Sequence, residues 1–260
     1  MSETVRARDT LLVALSFSSG AVDAISFIAL GKVFTAFMTG NFVFLGLRAA
    51  GAPGPEVLTV VISIAAFALG VFAATRIVRS SSRSRPWPRE VTVALGVVVF
   101  AQAAFAAGWI AVSGEPSTGM TDLLVGISAL AMGLQSGAVL SLAVKGVFTT
   151  AATATLMYLM SELAAASSVV ERARHATVLI ALLAGATAGG VLLEQARTFA
   201  PLLPLAVTVL VVAIAYDPLG AGDAAPDGET DTGFDFRWRS TGARNGQRGL
   251  RGPRDPSVRT

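Results

Sequence analysis

Cysteine is absent and histidine occurs once. A disulfide framework, a thiolate metal site and a cysteine nucleophile are therefore excluded, and one chain cannot assemble a histidine-rich metal site. Charge is scarce as well, at 14% of residues against 53% hydrophobic ones. With a mean hydropathy of +0.65, the chain carries more apolar side chain than one soluble core of 260 residues needs. The pI near 9.9 does not point to nucleic acid, because the basic residues lie between and beyond apolar runs, with no aromatic interleaving on a soluble module. The excess of apolar surface predicts an all-α, polytopic membrane protein with the lipid bilayer as its surroundings.

Six apolar stretches are long enough to cross about 30 Å of hydrocarbon: residues 10–30, 57–78, 91–112, 123–144, 176–193 and 198–216. The first holds one acid, Asp23, and lacks an Ala-x-Ala cleavage site, so it reads as a retained helix. The sixth opens with Pro201 and Pro204 in its first turns, where a missing donor is tolerated. Two shorter threonine-rich stretches, 33–47 and 146–161, read as re-entrant or broken-helix segments. Such backbone persists at membrane depth only against protein or a water-filled cavity, so both are expected to face an interior site. Residues 1–216 thus form the transmembrane domain. Residues 217–260, rich in Gly, Pro, Asp and Arg, read as a disordered tail.

The basic residues support six crossings. With the N-terminus inside, the cytoplasmic face receives Arg6, Arg8, Arg76, Arg79, Arg83, Arg85, Arg89, Lys145, Arg172 and Arg174, and the outer face only Lys32, Arg48 and Arg197. That assignment puts both termini in the cytoplasm and the protein in the inner membrane. Eight crossings would scatter the same clusters. An internal correspondence also runs through the chain. Val33-Phe34-Thr35 and Thr39 recur as Val147-Phe148-Thr149 and Thr153, and Ser19-Gly20-Ala21-Val22 recurs as Ser136-Gly137-Ala138-Val139. Halves of 10–113 and 121–216, each with three crossings, would be an inverted-topology repeat; chance likeness between Ala/Val/Thr-rich segments is the rival explanation.

An acid within a spanning helix costs a few kcal/mol unless it faces a polar interior. Asp23 therefore marks a candidate ion or proton site, or else it accepts hydrogen bonds from Ser19, Ser26 or a neighbouring helix. Thr35, Thr39 and Asn41 add hydroxyls and an amide fit for an ion or a small polar solute, unless Gly40-Asn41 is only a helix cap. Gln135 and, on the second short segment, Thr149 and Thr153 complete the candidate substrate-binding set. Gln102 reads as an interhelical hydrogen-bonding residue, Glu162 as an interfacial acid and His175 as a solvated histidine at the cytoplasmic face. Gly133-x-x-x-Gly137 and Gly185-x-x-x-Gly189 permit close helix packing within the molecule.

The elements GAVDAISF, GKVFTAFMTGN, MGLQSGAV and VFTTAATAT resemble the YoaK-like family of bacterial inner-membrane proteins, over roughly residues 11–216. The resemblance implies a six-helix membrane protein and brings no substrate or catalytic residue. Where that family repeats Met-Thr-Gly-Thr, this chain has Ala152-Thr153-Ala154-Thr155.

Two functions are consistent with these residues. One is a permease for a small solute or cation with a midplane site around Asp23, whose acidic balance favours a cation, an amine or a proton-coupled neutral solute. The other is a non-transporting scaffold or lipid sensor acting through the arginine-rich loop and the tail. An enzyme is not expected, since HExxH, cysteine and a histidine at membrane depth are all missing from the pattern. No cofactor is implied, and nucleic acid is not an expected partner.

Overall fold

The computed structural model describes residues 3–79, 87–144, 146–165 and 168–216. The tail from residue 217 lies outside them, as do Arg83, Arg85 and Lys145. Within the described residues the chain is helical, without strands. Its elements are α1 (Glu3–Ala29), α2 (Met38–Ala49), α3 (Val57–Val78), α4 (Arg89–Ala111), α5 (Thr118–Ser141), α6 (Ala152–Ala164), α7 (Val169–Gln195) and α8 (Leu202–Tyr216). A single 3-10 turn, Arg197–Phe199, leads into α8. Six of these segments are long and apolar enough to span a membrane, the last being Arg197–Tyr216. Large apolar side chains such as Phe100, Leu69 and Leu183 stand exposed on their outer faces. On a surface bathed in lipid that exposure carries no hydrophobic penalty. The protein is an integral, multi-pass membrane protein.

Two parallel helix pairs build the centre. The most extensive packing is α3 on α5 and α1 on α7. Both depend on glycines: a Cβ at Gly70 or Gly133 would strike the backbone of the facing helix at Leu130 or Phe67, and one at Gly20 or Gly185 would strike Leu182 or Phe17. Because lipid tails are as apolar as leucine, such close backbone approach is what drives association in the bilayer. The order of contacts fixes direction. Gly126, Gly133 and Gly137 meet Ile62, Phe67 and Val71 in turn, so α3 and α5 run the same way; Phe17, Gly20 and Ala21 meet Gly185, Ala186 and Gly189, so α1 and α7 do too. The small-xxx-small spacings therefore pack within one molecule, as their sequence context led one to expect.

The two short segments do not cross. After α1 the chain turns at Gly31 (φ 82°) and Lys32 (φ 61°), and the 31–37 loop folds back until Thr35 and Ala36 meet Asp23. Asp23 lies six residues before the end of α1, a depth of about 9 Å at 1.5 Å per residue. α2 then leaves by the side on which α1 ended, and α3 begins there. The 146–151 loop likewise returns toward α5, where Thr150 Oγ1 lies 2.9 Å from Ser136 Oγ, before α6 leads to α7. Since α1 and α7 are parallel, α2 and α6 sit at opposite ends of the bundle.

Smaller contacts lock the ends. Trp109 Nε1 donates to the Arg197 carbonyl at 2.9 Å and Arg197 Nε donates to the Gly114 carbonyl at 2.8 Å, tying the end of α4 to the start of the last span. Thr59 Oγ1 donates to Asp122 at 2.6 Å where α3 and α5 begin together.

Candidate functional site

Asp23 is the anchor of the first loop. Its Oδ1 accepts the backbone N–H of Thr35 at 3.0 Å and of Ala36 at 2.8 Å. These amides belong to the loop just before α2, and the carboxylate satisfies N–H groups that have no helical partner. Ser26 is not its donor; the Ser26 hydroxyl goes to the Asp23 backbone carbonyl at 3.1 Å.

The loop is clamped from its other side by Asn41, which is fully buried. Asn41 Oδ1 accepts from Phe34 N at 3.0 Å, and Nδ2 donates to the Phe34 carbonyl at 2.6 Å and to Ser63 Oγ at 3.1 Å. Ser63 also donates to that carbonyl at 2.6 Å. Asn41 is thus not a cap of α2: its amide replaces the hydrogen bonds that non-helical backbone at this depth would lack. Thr35 is buried too, and Ser128 Oγ donates to its Oγ1 at 3.1 Å.

Beside the anchored loop lies a cavity of about 400 Å³. Its walls come from α1, α7, both loops and the first residue of α6. Leu182 and Ala186, at the middle of α7, place it at mid-height along that helix; Gly20 and Asp23 line it from α1, Phe34 and Phe37 from the first loop and Thr150 from the second, and it opens outward past the exposed side chains of Ile28 and Phe37. Among the described residues Asp23 is the sole ionisable one in this lining. Phe27, Phe34 and Phe37 form its aromatic wall, Phe27 stacking on Phe34 with centroids 4.9 Å apart and Phe37 meeting Phe34 edge-on at 5.2 Å.

Of the residues singled out in the sequence, Asp23 lines this cavity, whereas Thr35 and Asn41 stand behind its wall and hold the loop. Thr39 and Thr153 are exposed on the short helices and do not line it. Gln135 is buried with its Nε2 donating to the Leu15 carbonyl at 3.2 Å, and its Oε1, like the buried hydroxyl of Thr149, has no hydrogen-bond partner. Gln102 does not make the interhelical bond expected of it; both its amide atoms are buried without partners. The aromatic wall and Thr150 were not anticipated. Phenylalanines in an apolar run give no signal that separates a cavity wall from a lipid-facing surface.

One expectation is reversed outright. His175 is not solvated but fully buried, with Nδ1 2.7 Å from Glu162 Oε2 and its ring 6.1 Å from that of Tyr158. The pair joins α6 to α7 at the end where Arg174 also meets Asp9 at 3.6 Å. Helix α7 begins at Val169, so the charged stretch that looked interfacial is its first two turns, and α6 folds over it. Gly146 (φ 73°) completes the pocket, since a Cβ there would lie 2.6 Å from His175 Nε2. Among the described residues no group of three or more His, Asp or Glu could hold a metal ion.

The chain belongs to the family described as a protein of unknown function (DUF1275), whose model matches residues 11–215. It is also similar to the UPF0700 transmembrane protein YoaK of Bacillus subtilis (strain 168), with 42% identity over 71 residues, covering 27% of this chain and 32% of that relative. No solved structure matches. The family resemblance carried by the Asp23 and Met-Thr-Gly-Asn elements is thereby borne out.

Proposed function

We propose that the protein is a permease for a small solute, with the cavity beside Asp23 as its binding site. The observation that carries the reading is that one cavity, at the mid-height of α7, is lined by residues of both re-entrant loops, which approach it from opposite ends of the bundle. A solute there would touch both segments, and a shift of one loop against its supporting helix pair would open the cavity toward one face at a time.

An inverted repeat would supply such a device, and several relationships support it. The parallel pairs α1/α7 and α3/α5 exchange if the halves are interchanged, as do the pairings of α2 with α3 and α6 with α7. Phe34 and Phe44 stand 6.0 Å apart, and Phe148 and Tyr158, at the corresponding positions, 6.4 Å apart. The basic residues favour an inner-membrane protein with both termini cytoplasmic.

Flux provides the test. Reconstituted into liposomes, the wild-type protein should carry a solute drawn from a mixture of small amines, cations and neutral metabolites, and Asp23→Asn should lose most of that flux while remaining inserted. Flux equal in both proteins, or absent from the wild type across the mixture, would contradict the proposal.

A further inference from the structure

The lining of the cavity defines a solute class. Among the described lining residues an anion would meet the Asp23 carboxylate and no positively charged side chain, while the amides of Thr35 and Ala36 are already committed to Asp23. A bare metal ion needs several oxygen ligands; this wall offers the carboxylate and the hydroxyl of Thr150, itself within bonding distance of Ser136. A sugar-like neutral solute would leave most of its hydroxyls against Phe27, Ile28, Phe34, Phe37 and Leu182, and unpaired polar groups in such a setting are costly. What these walls complement is a positive charge on an apolar body. The carboxylate supplies a charge-assisted hydrogen bond or ion pair, and ring faces attract ammonium groups through their quadrupoles.

Resting on the permease reading, we infer that the cavity takes an apolar organic cation: a protonated amine or a quaternary ammonium bearing a hydrocarbon or aromatic group. The ammonium sits at Asp23 and the apolar body lies along Phe34 and Phe37, toward Leu182. The volume, about 400 Å³, falls in the range of small-molecule sites, roughly 300–1,000 Å³.

The experiment uses the full-length protein purified in detergent and two probes of similar shape, phenethylammonium and its neutral counterpart 2-phenylethanol. Binding is followed by calorimetry and by the rise in unfolding temperature, in wild type, Asp23→Asn and Phe37→Leu. The expected result is saturable binding of phenethylammonium, with 2-phenylethanol at least about tenfold weaker. Asp23→Asn should weaken the ammonium by about tenfold or more and leave the alcohol little changed. Phe37→Leu should weaken the ammonium about two- to tenfold, and it stands in for Asp23→Asn if that variant does not fold, because Phe37 makes no anchoring side-chain hydrogen bond.

Equal affinity for the two probes overturns the cation class, as does ammonium binding that neither substitution alters. Absence of binding by either probe overturns it as well. These failures are separable from that of the permease reading, which is read from labelling of the cavity from the two sides of the membrane: two-sided labelling without ammonium binding leaves a permease of another solute, and one-sided labelling with Asp23-dependent ammonium binding leaves a cation-binding site that does not transport.

Discussion

Asn41 embraces Phe34 with its whole amide, accepting the backbone N–H at 3.0 Å and donating to the carbonyl at 2.6 Å. The first re-entrant loop is thus held from two directions, by Asn41 on α2 and by Asp23 on α1, and the cavity wall inherits its shape from both. Replacing Asn41 with Ala strands the Phe34 N–H and loosens Ser63, leaving buried polar groups without partners. We expect a loss of about 2–4 kcal/mol in stability, seen as a lower unfolding temperature in detergent and as new protease sensitivity in the 31–37 loop.

Thr35 in that loop and Thr39 in the first turn of α2 should separate cleanly. Thr35→Val removes the acceptor of Ser128 Oγ in a buried setting and is expected to cost about 1–2 kcal/mol. Thr39 is exposed, and Thr39→Val should fall within about 0.5 kcal/mol of wild type. Equal effects in thermal unfolding would contradict the placement of these side chains.

Helix packing makes a similar contrast. Gly185→Ala drives a methyl into the Phe17 carbonyl, and α1 cannot retreat without opening the cavity it shares with α7. Little folded protein is expected. Gly96 on α4 has open space where its Cβ would stand, so Gly96→Ala should be neutral or stabilising by up to about 1 kcal/mol from helix propensity. Fluorescence-detected size-exclusion chromatography of the two variants checks both outcomes.

At the other end of the bundle, Glu162→Ala leaves the buried His175 without the carboxylate 2.7 Å from its Nδ1. A destabilisation of about 1–3 kcal/mol is expected, with Glu162→Gln recovering part of it, since an amide oxygen still accepts from the imidazole. If Ala and Gln unfold at the same temperature as wild type, the pair does not hold α6 on α7.

The architecture was legible because lipid imposes simple rules. The span 57–78 coincides with α3 residue for residue, its ends set by Glu56 and Arg79, and the charge distribution favoured six crossings over eight. Helices α1 and α7 extend beyond their apolar spans to Glu3 and Val169 because hydropathy reports contact with lipid, not helix formation, and turns rich in Arg, Glu and Ala are good helix formers. Asp23 stood out as a lone acid in an apolar run. The role of Asn41 was hidden, because nothing in a sequence says that an amide will turn back onto backbone seven residues away. His175 and Glu162 were misjudged for a related reason: thirteen residues apart, they meet only through the hairpin of α6 on α7. The phenylalanine wall had no distinguishing mark at all.

The central claim is that the cavity beside Asp23 is a solute site reached from both sides. The chain lacks cysteine, so Ala24→Cys on α1 and Ala152→Cys at the start of α6, both lining the cavity, can be labelled without background. A membrane-impermeant thiol reagent applied first to right-side-out and then to inside-out vesicles should modify each position from either face. Modification of both positions from one face only, with none from the other at long exposure, would contradict the account.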